Sequence, residues 1–182
     1  MDQKTVIVLN NFFQKHSNNF LNKFFGEYLI YGLPILLIVL FLNKKQQKNA
    51  LRALFSVILA WPILAHFIGK WSNRHRPFET NGIKELLFHR PDYSFPSDHA
   101  AAVFAVAASL WFSGEKKLAG VFFGVGIIIS FFRISLGLHF PTDILGGFLV
   151  GILAAWIIYL FDKPLDIIYN FILKIARILR LA

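Results

Sequence analysis

Long stretches without a formal charge constrain this chain more than any other feature of its sequence. Five occur, at residues 28–42, 53–69, 100–112, 118–132 and 144–161. In lipid a segment must satisfy its own backbone hydrogen bonds, so apolar runs of roughly this length favour transmembrane helices. Only 16% of the residues are charged, against about a quarter in soluble domains. The sequence therefore predicts an all-α integral membrane protein, built as a bundle of about five transmembrane helices.

The two ends of the chain differ from this apolar core. Residues 1–26 mix aromatic and aliphatic side chains with asparagine, lysine and glutamine, and the C-terminal segment places Lys174, Arg177 and Arg180 on one helical face. Segments too polar to span and too apolar to stay in water typically lie in the membrane interface. We expect one membrane-embedded domain over residues 1–182. It comprises an interfacial segment (1–26), a transmembrane core (27–161) and a basic amphipathic tail (162–182).

Small residues within the runs predict tight helix packing. Gly120, Gly124 and Gly126 all lie in the fourth run. A glycine on a transmembrane helix lets a neighbouring backbone approach closely. We therefore expect the fourth helix to use these three positions to contact its neighbours.

Basic residues predict the orientation in the membrane. The chain carries 19 Lys and Arg against 10 Asp and Glu. Loops at 44–52 and 115–117, together with the tail, place basic residues on one side, which the positive-inside rule makes cytoplasmic. The loop at 70–90 is also basic and argues against this orientation, but phosphate binding is a second explanation for its arginines. We expect a multi-pass plasma-membrane protein whose polar clusters face the extracytoplasmic side, and whose partners are membrane lipids rather than nucleic acid.

His139 and Asp143 belong to one of three polar clusters that adjoin the apolar runs. Ionisable groups at the edge of a membrane are costly and mark a functional site by default. Pro141 fits the first turn of the fifth helix, which puts His139 just before that helix and Asp143 one turn further on. A carboxylate at this spacing can accept a hydrogen bond from one imidazole nitrogen and leave the other free as a nucleophile. The alternative is an interfacial histidine beside a helix-capping aspartate.

The other two clusters lie at residues 70–77 and 94–99 and contribute positive charge and a helix N-terminus, while Arg133 adds a guanidinium to the cluster of His139 and Asp143. Arg133 ends the fourth run and Arg76 follows the second. Guanidinium groups bind phosphate oxygens bidentately, although each arginine could instead extend to the interface. Ser97, Asp98 and His99 open the third helix, where free backbone N–H groups can bind an anion and His99 can act as a general acid. The alternative there is an ordinary helix cap.

Together these are the residue types that phosphoryl transfer through a phosphohistidine requires. Two arginines, two histidines, an aspartate and a serine fall at helix ends on one expected side of the membrane. The sequence contains no cysteine, which excludes disulfides and thiolate metal sites, and we expect neither a metal nor a cofactor. Glu27, at the start of the first run, fits a helix-terminal carboxylate at the interface better than a pocket residue.

The three clusters resemble the signature of the type 2 phosphatidic acid phosphatase superfamily, which includes the vanadium haloperoxidases. That signature runs Lys-x6-Arg-Pro, then Pro-Ser-Gly-His, then Ser-Arg-x5-His-x3-Asp. The third part is present with Phe132 in place of serine, and the second with Asp98 in place of glycine. The first part is present at Arg76-Pro77, with Lys70 one residue too close. A short chain with this Pro-Ser-Asp-His variant is similar, over residues 27–147, to the bacitracin-resistance type of undecaprenyl-diphosphate phosphatase.

The resemblance implies a membrane lipid phosphatase that hydrolyses a polyprenyl (undecaprenyl) diphosphate to the monophosphate and inorganic phosphate, and so recycles the carrier lipid of the cell envelope. It assigns His139 as the nucleophile, Asp143 as its orienting group and His99 as the general acid. The phosphate-binding groups that it implies are Arg76, Arg133, Ser97 and the backbone of Asp98, with Lys70, Arg74 or neither in the position of the signature lysine.

Other functions remain open from the sequence. The same mechanism serves a phosphatase of phosphatidylglycerophosphate, phosphatidic acid or lipid A. A non-catalytic lipid-binding protein could keep the pocket, although the intact histidines argue against it. A small transporter is a third alternative, but five runs without an inverted repeat do not favour it.

Overall fold

The computed structural model describes residues 2–16, 18–80, 82–88 and 92–179, and the regular structure over these ranges is helical throughout. Helix α1 comprises Asp2–His16. Helix α2 continues through Asn19–Lys23, Phe24–Tyr28, Leu29–Tyr31 and Gly32–Leu42, and α3 through Gln47–Ile58, Leu59–Ala65 and His66–Ser72. A 3₁₀ turn at Pro77–Glu79 precedes α4 (Asp98–Phe112), α5 (Lys116–Ser135), α6 (Pro141–Leu160) and α7 (Asp162–Ile178).

Helices α2, α3, α5 and α6 are the described helices that are long and apolar enough to cross a membrane. The fifth apolar helix, α4, has 15 residues, which is roughly 22 Å at 1.5 Å per residue. That is shorter than the hydrocarbon core of about 30 Å. Helix α4 can be short because the other helices surround it. The prediction of an all-α membrane bundle is confirmed, with one of the five apolar runs forming a short central helix.

Helix α4 forms the centre of the bundle. Its residues 100–107 are all buried, and α3, α5 and α6 pack around it. Helix α6 approaches through its glycines: a Cβ on Gly147 would lie 2.4 Å from the Ser97 carbonyl oxygen, and one on Gly151 would lie 2.7 Å from that of Ala101. This close contact places the N-terminus of α4 beside the N-terminus of α6.

The glycines of α5 follow the prediction at one position only. A Cβ on Gly126 would lie 2.8 Å from the ring of Phe104, so this glycine does allow α4 to approach. Among the described residues, no neighbouring atom lies within 4 Å of the corresponding positions at Gly120 and Gly124. Helix α5 therefore contacts α4 closely at Gly126, and the other two glycines make no such contact.

One end of the bundle is covered by the segment that joins α3 to α4. Phe78 N–H donates to the Gly137 carbonyl (3.1 Å) and Leu86 N–H to that of Leu136 (3.3 Å), so the segment packs on the turn between α5 and α6. Gly137 has a φ of 79°, and a Cβ there would lie 2.8 Å from the Lys84 carbonyl. Only glycine both adopts this positive φ readily and leaves room for the Lys84 carbonyl. The turn carries His139, so its shape positions the histidine.

The opposite end of the bundle holds the C-terminal helix α7. The Arg52 guanidinium donates to both carboxylate oxygens of Asp162, at 2.6 and 2.5 Å, and Lys48 Nζ lies 2.5 Å from Asp166. The tail predicted to be interfacial is thus tied to α3 by ion pairs. Arg180, the last of the three basic residues predicted to share a face, lies outside the described residues.

Candidate active site

The three polar clusters identified in the sequence meet at the covered end of the bundle. The segment after α3 carries Arg76, the first turn of α4 carries His99, the last turn of α5 carries Arg133, and the turn before α6 carries His139. Helices α3 and α5 end where α4 and α6 begin. Residues as far apart in the sequence as Arg76 and His139 therefore lie in contact.

His139 is fully buried, and its two ring nitrogens have different partners. Nδ1 lies 2.8 Å from the carbonyl oxygen of Ser94. A carbonyl only accepts, so Nδ1 carries the proton and Nε2 presents a lone pair. Nε2 lies 3.1 Å from Nη1 of Arg76 and 3.4 Å from Nη2 of Arg133. Burial, together with the charges of these two arginines, lowers the pKa of His139 well below its usual value, so the imidazole is neutral at pH 7.

The spacing predicts a direct hydrogen bond from His139 to Asp143, but the structure does not contain one. Oδ2 of Asp143 lies 3.8 Å from Nδ1 of His139, which is too long for a hydrogen bond. Ser94 stands between them: its carbonyl accepts from His139, and its hydroxyl donates to Oδ2 of Asp143 at 2.5 Å. The Phe140 N–H donates to the same oxygen at 2.7 Å, and Arg74 donates to Oδ1 at 2.7 Å. The carboxylate is thus linked to the histidine through a serine.

Arg76 is held by acceptors on several sides. It is 1% exposed. Nη1 donates to the Leu138 carbonyl at 2.8 Å, Nη2 to the Tyr93 carbonyl at 3.1 Å, and Nε to Asp92 at 2.8 Å. Asp92 also accepts from Nη2. These contacts fix the guanidinium so that one edge faces Nε2 of His139.

Arg133 is equally buried but has far fewer partners. It is 2% exposed, and Nη1 donates to the Gly26 carbonyl at 3.2 Å. Its Nε has no hydrogen-bond partner within the described residues, and no carboxylate there comes within ion-pair distance of it. The carboxylates of Asp98, Asp92 and Glu27 act on Arg133 only from beyond ion-pair distance, and a buried cation without a directly bonded counter-ion is costly. Its place beside Nε2 of His139 therefore suits an anionic ligand.

The first turn of α4 combines a helix cap with a His–Asp contact. The Ser97 hydroxyl accepts from the Ala100 N–H at 3.4 Å, which caps the helix as the alternative interpretation proposed. Asp98, at the glycine position of the family signature, places Oδ1 3.0 Å from Nδ1 of His99. A carboxylate oxygen only accepts, so Nδ1 of His99 carries a proton whether the ring is neutral or charged. Nε2 of His99 is left to face a substrate.

A cavity of about 580 Å³ opens beside these groups. Its wall includes Arg133 and His99, so the predicted anion-binding and acid groups share one space. Glu27 also lines it, which corrects the expectation that this carboxylate only marks a helix end at the interface. The lining residues are Glu27, Tyr31, Trp61, Leu87, Phe88, Asp92, Asp98, His99 and Arg133.

The two candidates for the signature lysine occupy different surroundings. Lys70 is exposed in the last turn of α3, and within the described residues it has no ion pair. Arg74 is directed to carboxylates, with Nη1 2.7 Å from Asp143 and Nη2 3.0 Å from Asp2. Phosphate binding by either residue stays a prediction. His89 and Arg90, basic residues of the same loop, lie outside the described residues.

Sequence reasoning missed Ser94 and Asp92. Ser94 begins the polar stretch that contains Ser97 and His99, yet nothing in its spacing distinguishes it from an ordinary loop serine. Asp92 stands 16 residues after Arg76, so their contact depends on the path of the loop. Ser94 opens the Ser-Phe-Pro-Ser-Asp-His stretch of the resemblance, but the sequence assigns a role to neither residue.

Comparison with known proteins places this arrangement in a family. The sequence profile of the PAP2 superfamily matches residues 28–165. Undecaprenyl-diphosphatase BcrC of Bacillus subtilis is 31% identical over 168 residues, which cover 90% of this chain and 84% of that protein. The bacitracin transport permease protein BcrC of Bacillus licheniformis is 31% identical over 150 residues, 81% of this chain and 73% of that protein. The crystal structure of Aquifex aeolicus LpxE superposes with a TM-score of 0.68 at 25% identity, over 86% of this chain and 93% of that one.

Proposed function

This chain belongs to the PAP2 superfamily, and from that premise we propose that it hydrolyses a polyprenyl diphosphate to the monophosphate and inorganic phosphate. Membership makes it a multi-pass membrane phosphatase, a hydrolase of phosphate esters or anhydrides. The observation that carries the proposal is the position of His139. Its unprotonated Nε2 faces two buried guanidinium groups, at 3.1 and 3.4 Å.

The proposed reaction begins with attack of Nε2 of His139 on the terminal phosphorus. The N–P bond forms as the bond from phosphorus to the bridging oxygen breaks, and His99 gives its proton to that leaving oxygen. Arg76 and Arg133 stabilise the negative charge on the transferring phosphoryl group, which is the main protein contribution to such reactions. Ser97 and the Asp98 N–H, at the start of α4, are the remaining proposed phosphate contacts.

The second half of the reaction releases phosphate. A water molecule loses a proton to the now neutral His99 and attacks the phosphorus, which breaks the N–P bond. Inorganic phosphate leaves, and His139 returns to its neutral form with Nδ1 still donating to Ser94. The buried, neutral state of His139 supports this cycle, because a protonated Nε2 would have no lone pair for the attack.

A lipid with a diphosphate head group fits the cavity wall. Tyr31 of α2 and Trp61 of α3 line it, and both are at least half exposed on helices that face the bilayer. A lipid could therefore present its head group to Arg133 and His99 while its tail stays between these helices and the membrane. The undecaprenyl-diphosphatase activity in the name of the Bacillus subtilis relative supports the same choice. A phosphatase of phosphatidylglycerophosphate, phosphatidic acid or lipid A with this mechanism is the alternative.

We further propose that the site opens on the outer face of the plasma membrane. Lys44 and Lys45 lie in the turn between α2 and α3, and Lys116 and Lys117 begin α5, all at the opposite end of the bundle. The positive-inside rule assigns that end to the cytoplasm. A lipid diphosphate in the outer leaflet would then reach the enzyme without crossing the bilayer.

A substrate panel tests the proposal directly. The purified protein in detergent is given undecaprenyl diphosphate, phosphatidic acid, phosphatidylglycerophosphate and lipid A, and released phosphate is measured at several concentrations of each. We expect the highest kcat/KM for the diphosphate, with the monophosphate as the lipid product. A higher kcat/KM for one of the other lipids than for the diphosphate would identify that lipid class as the preferred substrate. No phosphate from any of the four would favour a non-catalytic lipid-binding protein.

A further inference from the structure

Helix α1 lies outside the region that matches the family profile, yet it docks on the turn that carries His139. The profile covers residues 28–165. Asn10, fully buried, donates to the carbonyls of Lys84 (3.0 Å) and Ser135 (3.1 Å), and it accepts from the Lys84 N–H at 3.0 Å. Val6 is also fully buried and packs with Phe140. These contacts fix the first turns of α1 against the turn between α5 and α6.

Asp2, in the first turn of α1, reaches the carboxylate network of the site through Arg74. Its carboxylate accepts from Nη2 of Arg74 at 3.0 Å and from the Thr142 N–H at 3.2 Å, and it also bonds to the Thr142 hydroxyl. Nη1 of the same arginine donates to Thr142 Oγ1 and to Oδ1 of Asp143, each at 2.7 Å. The path continues from Asp143 through Ser94 to Nδ1 of His139.

We infer that Asp2 is a positioning residue for the phosphatase reaction, acting through Arg74 on Asp143. The inference rests on the proposed function. When Nε2 of His139 bonds to phosphorus, positive charge develops on the ring, and a carboxylate 3.8 Å from Nδ1 stabilises it. An Arg74 paired with Asp143 alone would neutralise that carboxylate. Asp2 shares the guanidinium, so Asp143 keeps more of its negative charge for the histidine.

The geometry of Arg74 supports the same role. Its guanidinium carbon lies 4.4 Å from the centroid of the Phe140 ring, and its two terminal nitrogens hold different carboxylates. A guanidinium held on two edges and one face has little rotational freedom. Partial burial raises the pKa of Asp2, but the hydrogen bonds from Thr142 and Arg74 outweigh burial and leave that pKa below its usual value. Asp2 is therefore charged throughout the neutral range.

The test compares Asp2→Asn and Asp2→Glu in wild-type and Arg74→Met backgrounds, using phosphate release by the purified full-length protein. We expect Asp2→Asn to lower kcat about 3- to 10-fold with KM changed less than twofold, because Asp2 does not line the cavity. Asp2→Glu should recover most of the rate, since it restores the charge. In the Arg74→Met background Asp2→Asn should have no further effect, because the arginine that transmits it is gone.

Asn10→Ala distinguishes a positioning role of Asp2 from a purely structural role of helix α1. It removes three hydrogen bonds of α1 and leaves Asp2 and Arg74 unchanged, so its main expected effect is a lower Tm. If Asp2→Asn lowers Tm as much as Asn10→Ala, and Asp2→Glu fails to restore the rate, α1 acts as a structural clamp and the inference is overturned. An unchanged kcat, or equal effects of Asp2→Asn with and without Arg74, would also overturn it.

Vanadate binding provides a readout that needs no lipid. Vanadate takes up the five-coordinate geometry of a transferring phosphoryl group, and its binding is measured as a vanadate-dependent rise in Tm. We expect Asp2→Asn to weaken this binding in the wild-type background only. If the wild-type protein hydrolyses none of the four lipids but binds vanadate more tightly than Asp2→Asn does, the proposed function fails while the coupling of Asp2 to the site stands. Equal vanadate affinity in wild type and Asp2→Asn would refute the coupling itself.

Discussion

Replacing Ser94 with alanine removes one hydrogen bond from the carboxylate of Asp143 while the backbone stays in place. Ser94 is fully buried, and its hydroxyl donates to Oδ2 of Asp143 at 2.5 Å. Its carbonyl, which accepts from Nδ1 of His139 at 2.8 Å, remains in any variant. Ser94→Ala therefore perturbs the support of Asp143 without removing the acceptor that sets the histidine tautomer.

The size of the effect follows from the partners that remain. Oδ2 of Asp143 keeps one donor, the Phe140 N–H at 2.7 Å. A hydrogen bond to a charged group contributes roughly 1.5–3 kcal/mol, and each factor of ten in rate corresponds to about 1.4 kcal/mol. If that hydrogen bond holds Asp143 in place for the transition state, kcat should fall roughly 10- to 150-fold. KM should change little, because Ser94 does not line the cavity.

The assay is phosphate release by wild type, Ser94→Ala and a matched control, with Tm measured for each. Ser135→Ala is the control, since Ser135 is also fully buried and, within the described part of the chain, its hydroxyl donates only to the Phe131 carbonyl one turn earlier in α5. We expect its kcat to stay within about threefold of wild type. A Ser94→Ala enzyme as active as this control, at unchanged Tm, would refute the view that Ser94 connects Asp143 to the nucleophile.

Three further predictions concern the chemistry and the orientation. His139→Ala should abolish turnover while the protein remains folded in the membrane, because it removes the proposed nucleophile between the two arginines; phosphate release near the wild-type rate would rule out the phosphohistidine. Activity should survive EDTA and be blocked by vanadate, since the described residues hold no cluster of three metal-ligating side chains; restoration by magnesium or zinc after chelation would contradict this. In intact cells, a cysteine replacing His75, whose side chain is 80% exposed, should react with a membrane-impermeant thiol reagent, whereas one replacing the exposed Lys45 at the other end should not. Reaction of only the cysteine that replaces Lys45 would show that the orientation is the reverse of the one proposed.

The helices and the main charged groups could be predicted because their signals are local. Each apolar run is contiguous, and the absence of water in the bilayer forces its backbone to bond to itself. His139, Arg133 and His99 stand at the ends of such runs, where an ionisable group is conspicuous. The family signature adds the spacing within each cluster. These signals do not depend on how the helices pack.

Close packing could be predicted less well. A glycine in a helix indicates that a neighbour can approach, but it does not identify the face on which the neighbour lies. Gly126 does contact α4 closely, whereas Gly120 and Gly124 have no such neighbour among the described residues. The closest approaches to the backbone of another segment occur instead at Gly147 and Gly151, where α6 meets the backbone of Ser97 and Ala101. The direction of each helix face is fixed only when the bundle is assembled.

The sequence by itself determined that this chain is a helical membrane protein and that histidines and arginines lie at the ends of its helices. Tertiary structure decided which atoms meet. The expected contact from Asp143 to His139 is longer than a hydrogen bond, because the loop before α4 inserts Ser94 between them. Arg74 pairs with Asp143 and Asp2 because α1 folds back over the same turn. Such contacts join segments up to 140 residues apart, and a hydrogen bond depends on tenths of an ångström that no spacing along the chain can specify.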